Sequence, residues 1–308
     1  MKRLTRKFAA LFGSDIGHSF LRSPGALFST LVLLILIAAA LGAPLLAPQD
    51  ILDPRTFDLL SANTPPWSAN DLAGHFYAFG TDDQGRDVLS ATLYGTRVSL
   101  LVALVAVLLS MSIGVTLGLV SGYFGGRTDA AIMRIADVQL SIPAIFIALL
   151  ISGLSRTLLA PGVRDTLAIY MVILAIGFSG WVTYARTVRG AVMVEKQREY
   201  VQAALMIGLP TRTMLLRHIL PNVRRPILVI ATISLALSII TEATLSYLGA
   251  GLPPTQPSLG TLIRSGQDFL FAGEWWILVF PAAALLTLAL AINVLGDWLR
   301  DVLNPRGL

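Results

Sequence analysis

Two carboxylates, Asp137 and Glu242, stand inside runs that are otherwise apolar, and three more, Asp82, Asp83 and Asp87, crowd the stretch FGTDDQGRDVLS. An ionised acid at a bilayer centre costs about 2.5–3.5 kcal/mol on insertion scales, so its natural places are a water-lined pathway or a paired or capping position. Both readings stay open for Asp137, which has Arg134 one turn away, and for Glu242, near the outer end of its run. Asp82, Asp83 and Asp87 have the oxygen chemistry of a cation site. However, Thr81 followed by Gln84 has capping-box spacing with acids in the first turn, and a solvated capping cluster is the favoured reading. Nothing else suggests covalent or metal chemistry. Cysteine is absent, His18, His75 and His218 are scattered, and neither H-E-x-x-H nor G-x-S-x-G occurs. There is also no G-x-x-x-x-G-K-[ST] loop to cradle a nucleotide phosphate. The expectation is a chain with no catalytic residue, no metal and no cofactor of its own.

The elements that hold these groups are set by composition. Of 308 residues, 55% are hydrophobic and only 13% charged, far from a soluble domain. A spanning helix needs about 20 largely apolar residues, because each backbone N–H and C=O must be satisfied within the segment. Windows at Ala26–Ala47, Thr96–Val120, Ala130–Leu154, Leu167–Tyr184, Ile227–Leu248 and Trp275–Leu295 qualify. The fold expected is therefore all-α and polytopic, with six transmembrane helices in one transmembrane domain (26–308) behind a tail (1–25). The first run is longer than the apolar core of a signal peptide, about 7–15 residues, and reads as an uncleaved anchor.

Lys2, Arg3, Arg6, Lys7 and Arg22 precede that run, and Arg186, Arg189, Lys196, Arg198, Arg212, Arg217, Arg224 and Arg225 crowd the segment 186–225. Positive residues stay inside, and four spans separate the two segments, so both are placed in the cytoplasm together with the two termini. The Asp-rich loop 49–95 then lies outside. Arg156 and Arg164, in the short loop after the third span, run against the rule. The net charge of +5 is explained by orientation and gives no reason to expect nucleic acid. Gly114, Gly118 and Gly122 form a side-chain-free stripe, for which internal packing is favoured over a seam with a partner. Pro143 and Pro281 favour kinks, and Trp275, Trp276 and Trp298 fit an interfacial belt.

The segment EYVQAALMIGLPTRTMLLRHILPN is too polar to cross a bilayer. Its spacing predicts a helix over 195–207, with Tyr200, Ala203, Ala204 and Ile207 on one face, stopped by Gly208 and Pro210. A second helix begins near Thr211, with Leu215, Leu216, Ile219 and Leu220 as its stripe, and ends at Pro221. A lipid-bound helix would bury Trp, Phe and Leu, whereas paired alanines suit a protein groove, so this is read as a docking element.

QAALMIG followed after nine residues by HILP resembles the EAA loop of membrane subunits in bacterial ABC importers. In that family the loop forms a coupling helix seated in an ATPase cleft. The resemblance places Tyr200, Val201, Gln202, Ala203, Ala204 and Gly208 there and closes the motif with Leu220 and Pro221; Gln202 stands for the usual Glu and His218 for Ile. FGTDDQGRDVLSATLYGTRVSLLVA, RIADVQLSIPAIFIALL and EATLSYLGAGLPPTQPSLG resemble the shorter permease of the dipeptide, oligopeptide and nickel subfamily. That likeness implies a bacterial inner-membrane subunit working with a second permease, two ABC ATPase subunits that bind ATP-Mg, and an extracytoplasmic binding protein. It implies import of short peptides, with nickel, opines, glutathione and sugars open. An ion-coupled secondary transporter using Asp137 and Glu242 is the alternative of another class, but no internal repeat supports it.

Overall fold

The computed structural model describes residues 15–70, 75–158 and 160–303. The basic residues Lys2, Arg3, Arg6 and Lys7, and Asp71, lie outside them, as do the side chains of His75, Arg156 and Arg164. Helices dominate; the described strands form one antiparallel ribbon, β1 (Ser68–Asn70) against β2 (His75–Tyr77), with Ala69 opposite Phe76.

The described residues begin with α1 (Asp15–Arg22) and α2 (Pro24–Leu41). Ser23 caps α2, accepting from the Ala26 N–H, and Pro24 fills the first turn, where its missing donor costs nothing. The helix stops at Leu41, short of the predicted Ala47, because Gly42 breaks it before a single turn, α3 (Ala43–Leu46). After the loop, α4 (Val88–Phe124) has 37 residues, about 55 Å at 1.5 Å per residue, well beyond a hydrocarbon core of roughly 30 Å.

The predicted third span is two helices, α5 (Gly126–Leu140) and α6 (Ala144–Leu158), bent by 86°. Pro143 sits at the break; it has no N–H to continue the ladder and disfavours helical geometry at Ile142 before it. Then come α7 (Pro161–Glu195), α8 (Glu199–Met206), α9 (Thr211–Thr213), α10 (Leu220–Tyr247), α11 (Leu259–Phe269) and α12 (Trp276–Leu303). A π-turn, Met214–Ile219, joins α9 to α10, so the chain is continuously helical from Thr211 to Tyr247. Among the described residues five helices are long and apolar enough to cross a membrane, or six spans if the bent α5–α6 pair is one.

Helix α11 falls where the sequence reading has only loop. Its start is a capping box: the Ser258 side chain accepts from Thr261 N–H while Thr261 Oγ1 accepts from Ser258 N–H.

The tightest contact in the bundle joins α4 to α7. A Cβ added at Gly114, Gly118 or Gly122 would meet the carbonyl oxygens of Trp181, Ala185 and Arg189 at 2.3, 2.6 and 2.8 Å. The glycine stripe is thus an internal seam. Below it, Leu119, Tyr123, Tyr184, Val188 and Val192 continue into a buried cluster that also takes residues from the 186–225 segment.

Candidate functional site

Helix α8 packs by one face against the ends of the long helices, and its turn and caps set where it begins and stops. The preceding helix runs through Glu195, so the predicted start at 195 is too early: a turn at Lys196–Arg198 intervenes, and the helix begins at Glu199. Lys196 makes this turn. Its Nζ donates to the Tyr123 carbonyl at the end of α4, 2.5 Å away, and lies 5.3 Å from the Tyr123 ring centre, where a cation is favoured on both counts. Gln202 Nε2 donates to the Lys196 carbonyl at 2.9 Å. In place of the acid of the EAA motif, this amide closes the last turn of α7. The helix ends on Gly208, whose φ of +74° is open to glycine, with Leu209 N–H reaching back to the Ala204 carbonyl in the manner of a Schellman cap.

The two faces of α8 differ. Val201 is fully buried and Ala204 nearly so, both packed in the cluster of Tyr123, Val192, Met214, Ile219 and Val223. Gln202, Ala203 and Gly208 point to the surface, and the helix end carries Met206 and Ile207, 89% and 78% exposed. The predicted apolar face of Tyr200, Ala203, Ala204 and Ile207 is therefore rotated: Val201 takes the place of Tyr200. Tyr200 instead donates to Glu195 Oε1 and accepts from Asn222 Nδ2 at 2.7 Å, linking α7, α8 and α10. Burial and the neighbouring Glu195 carboxylate push the Tyr200 phenol above its ordinary value, so it remains a donor. Sequence reasoning missed Met206; two exposed apolar residues just before a helix-stopping glycine were the available signal.

Pro221 does not end the second helix as expected. The π-turn widens the backbone ahead of it, which absorbs the missing donor and lets the helix continue. Leu220 is partly covered by the same cluster, Leu216 is exposed, and Met214 and Ile219 take the fully buried places.

The two intramembrane acids go to separate places. Asp137 pairs with Arg186 of α7, not with Arg134, and both side chains are about half exposed. Glu242 is fully buried at the junction of α4, α10 and α11; it accepts from Ser99 Oγ at 2.6 Å and Ser246 Oγ at 2.8 Å. Ser99 in turn accepts from the Leu259 N–H, at the first turn of α11. Glu242 is thus fully buried and held by hydroxyls from α4 and from its own helix α10.

At the other end of the bundle the GTDDQGRD stretch folds differently from the reading. Asp87, not Thr81, caps α4, accepting from Ser90 N–H at 2.8 Å. Residues 81–87 form a turn in which Asp82 accepts from the backbone N–H groups of Gln84 and Arg86 and pairs with Arg86 Nε at 2.6 Å, buried. Trp276 is 7% exposed, too buried for an interfacial belt; its indole N–H donates to the Thr81 carbonyl, tying the loop to α12. Among the described residues no group of three acids, histidines or cysteines could hold a metal ion.

Residues 114–307 match the family described as the binding-protein-dependent transport system inner membrane component. The chain belongs to this permease family. Residues 11–66 of the permease match the N-terminal transmembrane domain of oligopeptide transport permease C. The permease is 36% identical to a di/tripeptide transport system permease of Pseudomonas aeruginosa (strain UCBPP-PA14), covering 95% of this chain and 91% of that one. It is 35% identical to an oligopeptide transport system permease of Bacillus subtilis (strain 168), covering 99% and 93%. In fold it is similar to a chain of the MetNI methionine ABC transporter in an inward-facing conformation, at TM-score 0.54 and 19% identity over 70% of this chain and 96% of that one. It is a permease subunit of ABC-importer type.

Proposed function

We propose that the chain is one of two permeases in an ATP-driven importer of di- and oligopeptides, and that α8 seats in a cleft of a partner ATPase on the cytoplasmic side. The observation that carries this is the division of labour on α8: Val201 and Ala204 root it in the bundle while Gln202, Ala203, Met206, Ile207 and Gly208 face outward. Bare apolar side chains on a helix outside the membrane spans mark a binding surface. Tyr200, Leu220 and Pro221 act as positioning residues behind that surface. ATP-Mg belongs to the ATPase subunits, and an extracytoplasmic binding protein delivers the peptide to the outer loops. Because α8 shares a core cluster with α4, α7 and α10, its displacement on ATP binding biases the bundle between outward and inward access. The secondary-transporter reading gains nothing: Glu242 is sealed, and Asp137 is held by Arg186 at the surface.

The test is copurification. Ala203→Glu and Met206→Glu place a charge on the outward face without entering the core. Both are expected to cut ATPase copurification and ATP-dependent peptide uptake at least ten-fold while membrane content stays at the wild-type level. Wild-type copurification and uptake in both variants would overturn the docking assignment.

A further inference from the structure

The cluster that roots α8 leaves a second feature at the same end of the bundle unused. A cavity of about 380 Å³ opens between α7, α10 and α12, lined by Thr187, Arg225, Pro226, Val229, Ile230 and Arg300, with Leu303 at its edge. Its chemistry is divided. Two arginines line it from different helices, and neither makes an ion pair or hydrogen bond with any described residue. Thr187 adds a hydroxyl that, unlike those of Thr232 and Thr287, donates to no backbone carbonyl. The rest of the wall is apolar. Asp297 and Asp301 flank Arg300 in sequence, yet neither lines the cavity and neither pairs with it.

We infer that this cavity binds an anionic phospholipid, with the phosphate between Arg225 and Arg300 and an acyl chain along Val229 and Ile230. Three considerations select this occupant. Arginine forks match phosphate oxygens in a bidentate manner, which favours a phosphate over a bare point anion. An inorganic anion would have no use for the apolar wall, whereas a lipid satisfies head and wall together. The cavity also lies where a polar segment turns into a membrane span: Arg225 precedes Ile227, the first residue of the apolar run, by two positions, which is headgroup depth for a basic pocket between spanning helices. Placement in the cytoplasmic leaflet rests on the proposed orientation; the binding chemistry does not.

The site couples to function through α10. Pro226 removes a backbone donor inside this helix, and a lipid packed against it braces the segment that leads back through the π-turn to α8.

The experiment uses the full-length chain in neutral detergent, titrated with phosphatidylglycerol or with phosphatidylcholine of the same acyl chains, and read by native mass spectrometry. Wild type is expected to prefer phosphatidylglycerol roughly ten-fold or more. The paired substitution Arg225→Gln with Arg300→Gln is expected to bring that preference close to one, while Arg217→Gln with Arg224→Gln, an equal loss of two charges outside the cavity, leaves it intact. Val229→Trp, which fills the apolar wall and keeps both arginines, is expected to lose bound phosphatidylglycerol as well. An unchanged preference in the paired arginine variant overturns the proposal. Displacement of the lipid by excess inorganic phosphate also overturns it, since the cavity is then a site for a free anion. None of these readings depends on an ATPase, so they fail or succeed apart from the docking assignment.

Discussion

At the scale of single residues, what each glycine meets decides what it is for. Gly118 sits 2.6 Å, measured from an added Cβ, from the Ala185 carbonyl, and Val188 is almost as close. Backbone cannot step aside as a flexible side chain can. Gly118→Ala is therefore expected to lower stability by about 1–3 kcal/mol through overpacking. Gly190 lies on the facing helix α7, but nothing comes within 4 Å of its added Cβ. There Gly190→Ala is expected to gain roughly 0.5–1 kcal/mol, the ordinary helix preference for alanine. Thermal unfolding in detergent checks the pair, and a shift of the same sign in both would show that the stripe is not a packing seam. The same contrast separates the two faces of α8: Val201→Asp buries an unpaired charge and should deplete the chain from the membrane, whereas Met206→Glu should not.

At the scale of elements, α8 is held by few bonds, and Lys196 is the strongest of them. It closes the turn into the helix by binding the Tyr123 carbonyl and ring. Lys196→Met keeps the length of the stem and removes both. Hydrogen bonds from charged donors contribute about 1.5–3 kcal/mol, so amide exchange across 199–206 is expected to quicken roughly ten-fold or more while α4 and α7 keep their protection. Uptake should fall more than ATPase activity, because a loosened helix still docks but transmits less. Elements also show how far the sequence was legible. The long apolar runs and the helix stop at Gly208 and Pro210 were plain, since span length and glycine conformation are local properties. Which way α8 faced was not. Its amphipathic signal is weak, and rotation by one residue, from Tyr200 to Val201, was decided by packing against Met214 and against Tyr123, which lies far off in sequence. Pro221 misled for a related reason: proline usually stops a helix, and only the π-turn ahead of it allows the helix to go on. Glu242 was visible as an anomaly, and Ser246 lies one turn away on its own helix, but Ser99 comes from α4, so that contact was readable only in three dimensions.

At the scale of the whole molecule, the two ends of the bundle are tied differently. One end carries α8 on a hinge of few bonds. At the other, the loop 49–87 is tied to α12 through the Trp276–Thr81 hydrogen bond and braced within itself by the buried Asp82–Arg86 pair. That lock carries an electrostatic load. Burial pushes the Asp83 carboxyl above its ordinary value, and Asp82 adds to the rise; Glu274, at the start of α12, is raised by burial and then by Asp83. Asp87 is raised as well, chiefly by burial. A raised acid binds its proton more tightly in the folded chain than in the unfolded one. The stability it contributes is present at low pH and is lost as pH climbs from the ordinary carboxylate value through the folded one. Above that window Asp83 and Glu274 are both charged and repel across the lock. Glu274→Gln removes the repulsion without removing the hydrogen-bonding shape. Because the groups are partly solvated, the gain is small, roughly 1–2 °C in unfolding midpoint at pH 7. It should shrink toward zero as pH falls to about 4, where the wild-type acid is already protonated. Measured midpoints of the variant and wild type from pH 4 to 7 give the sign directly. A gain that is constant across that range, or one that grows toward acid, would mean that the acids at this end do not oppose closure of the loop.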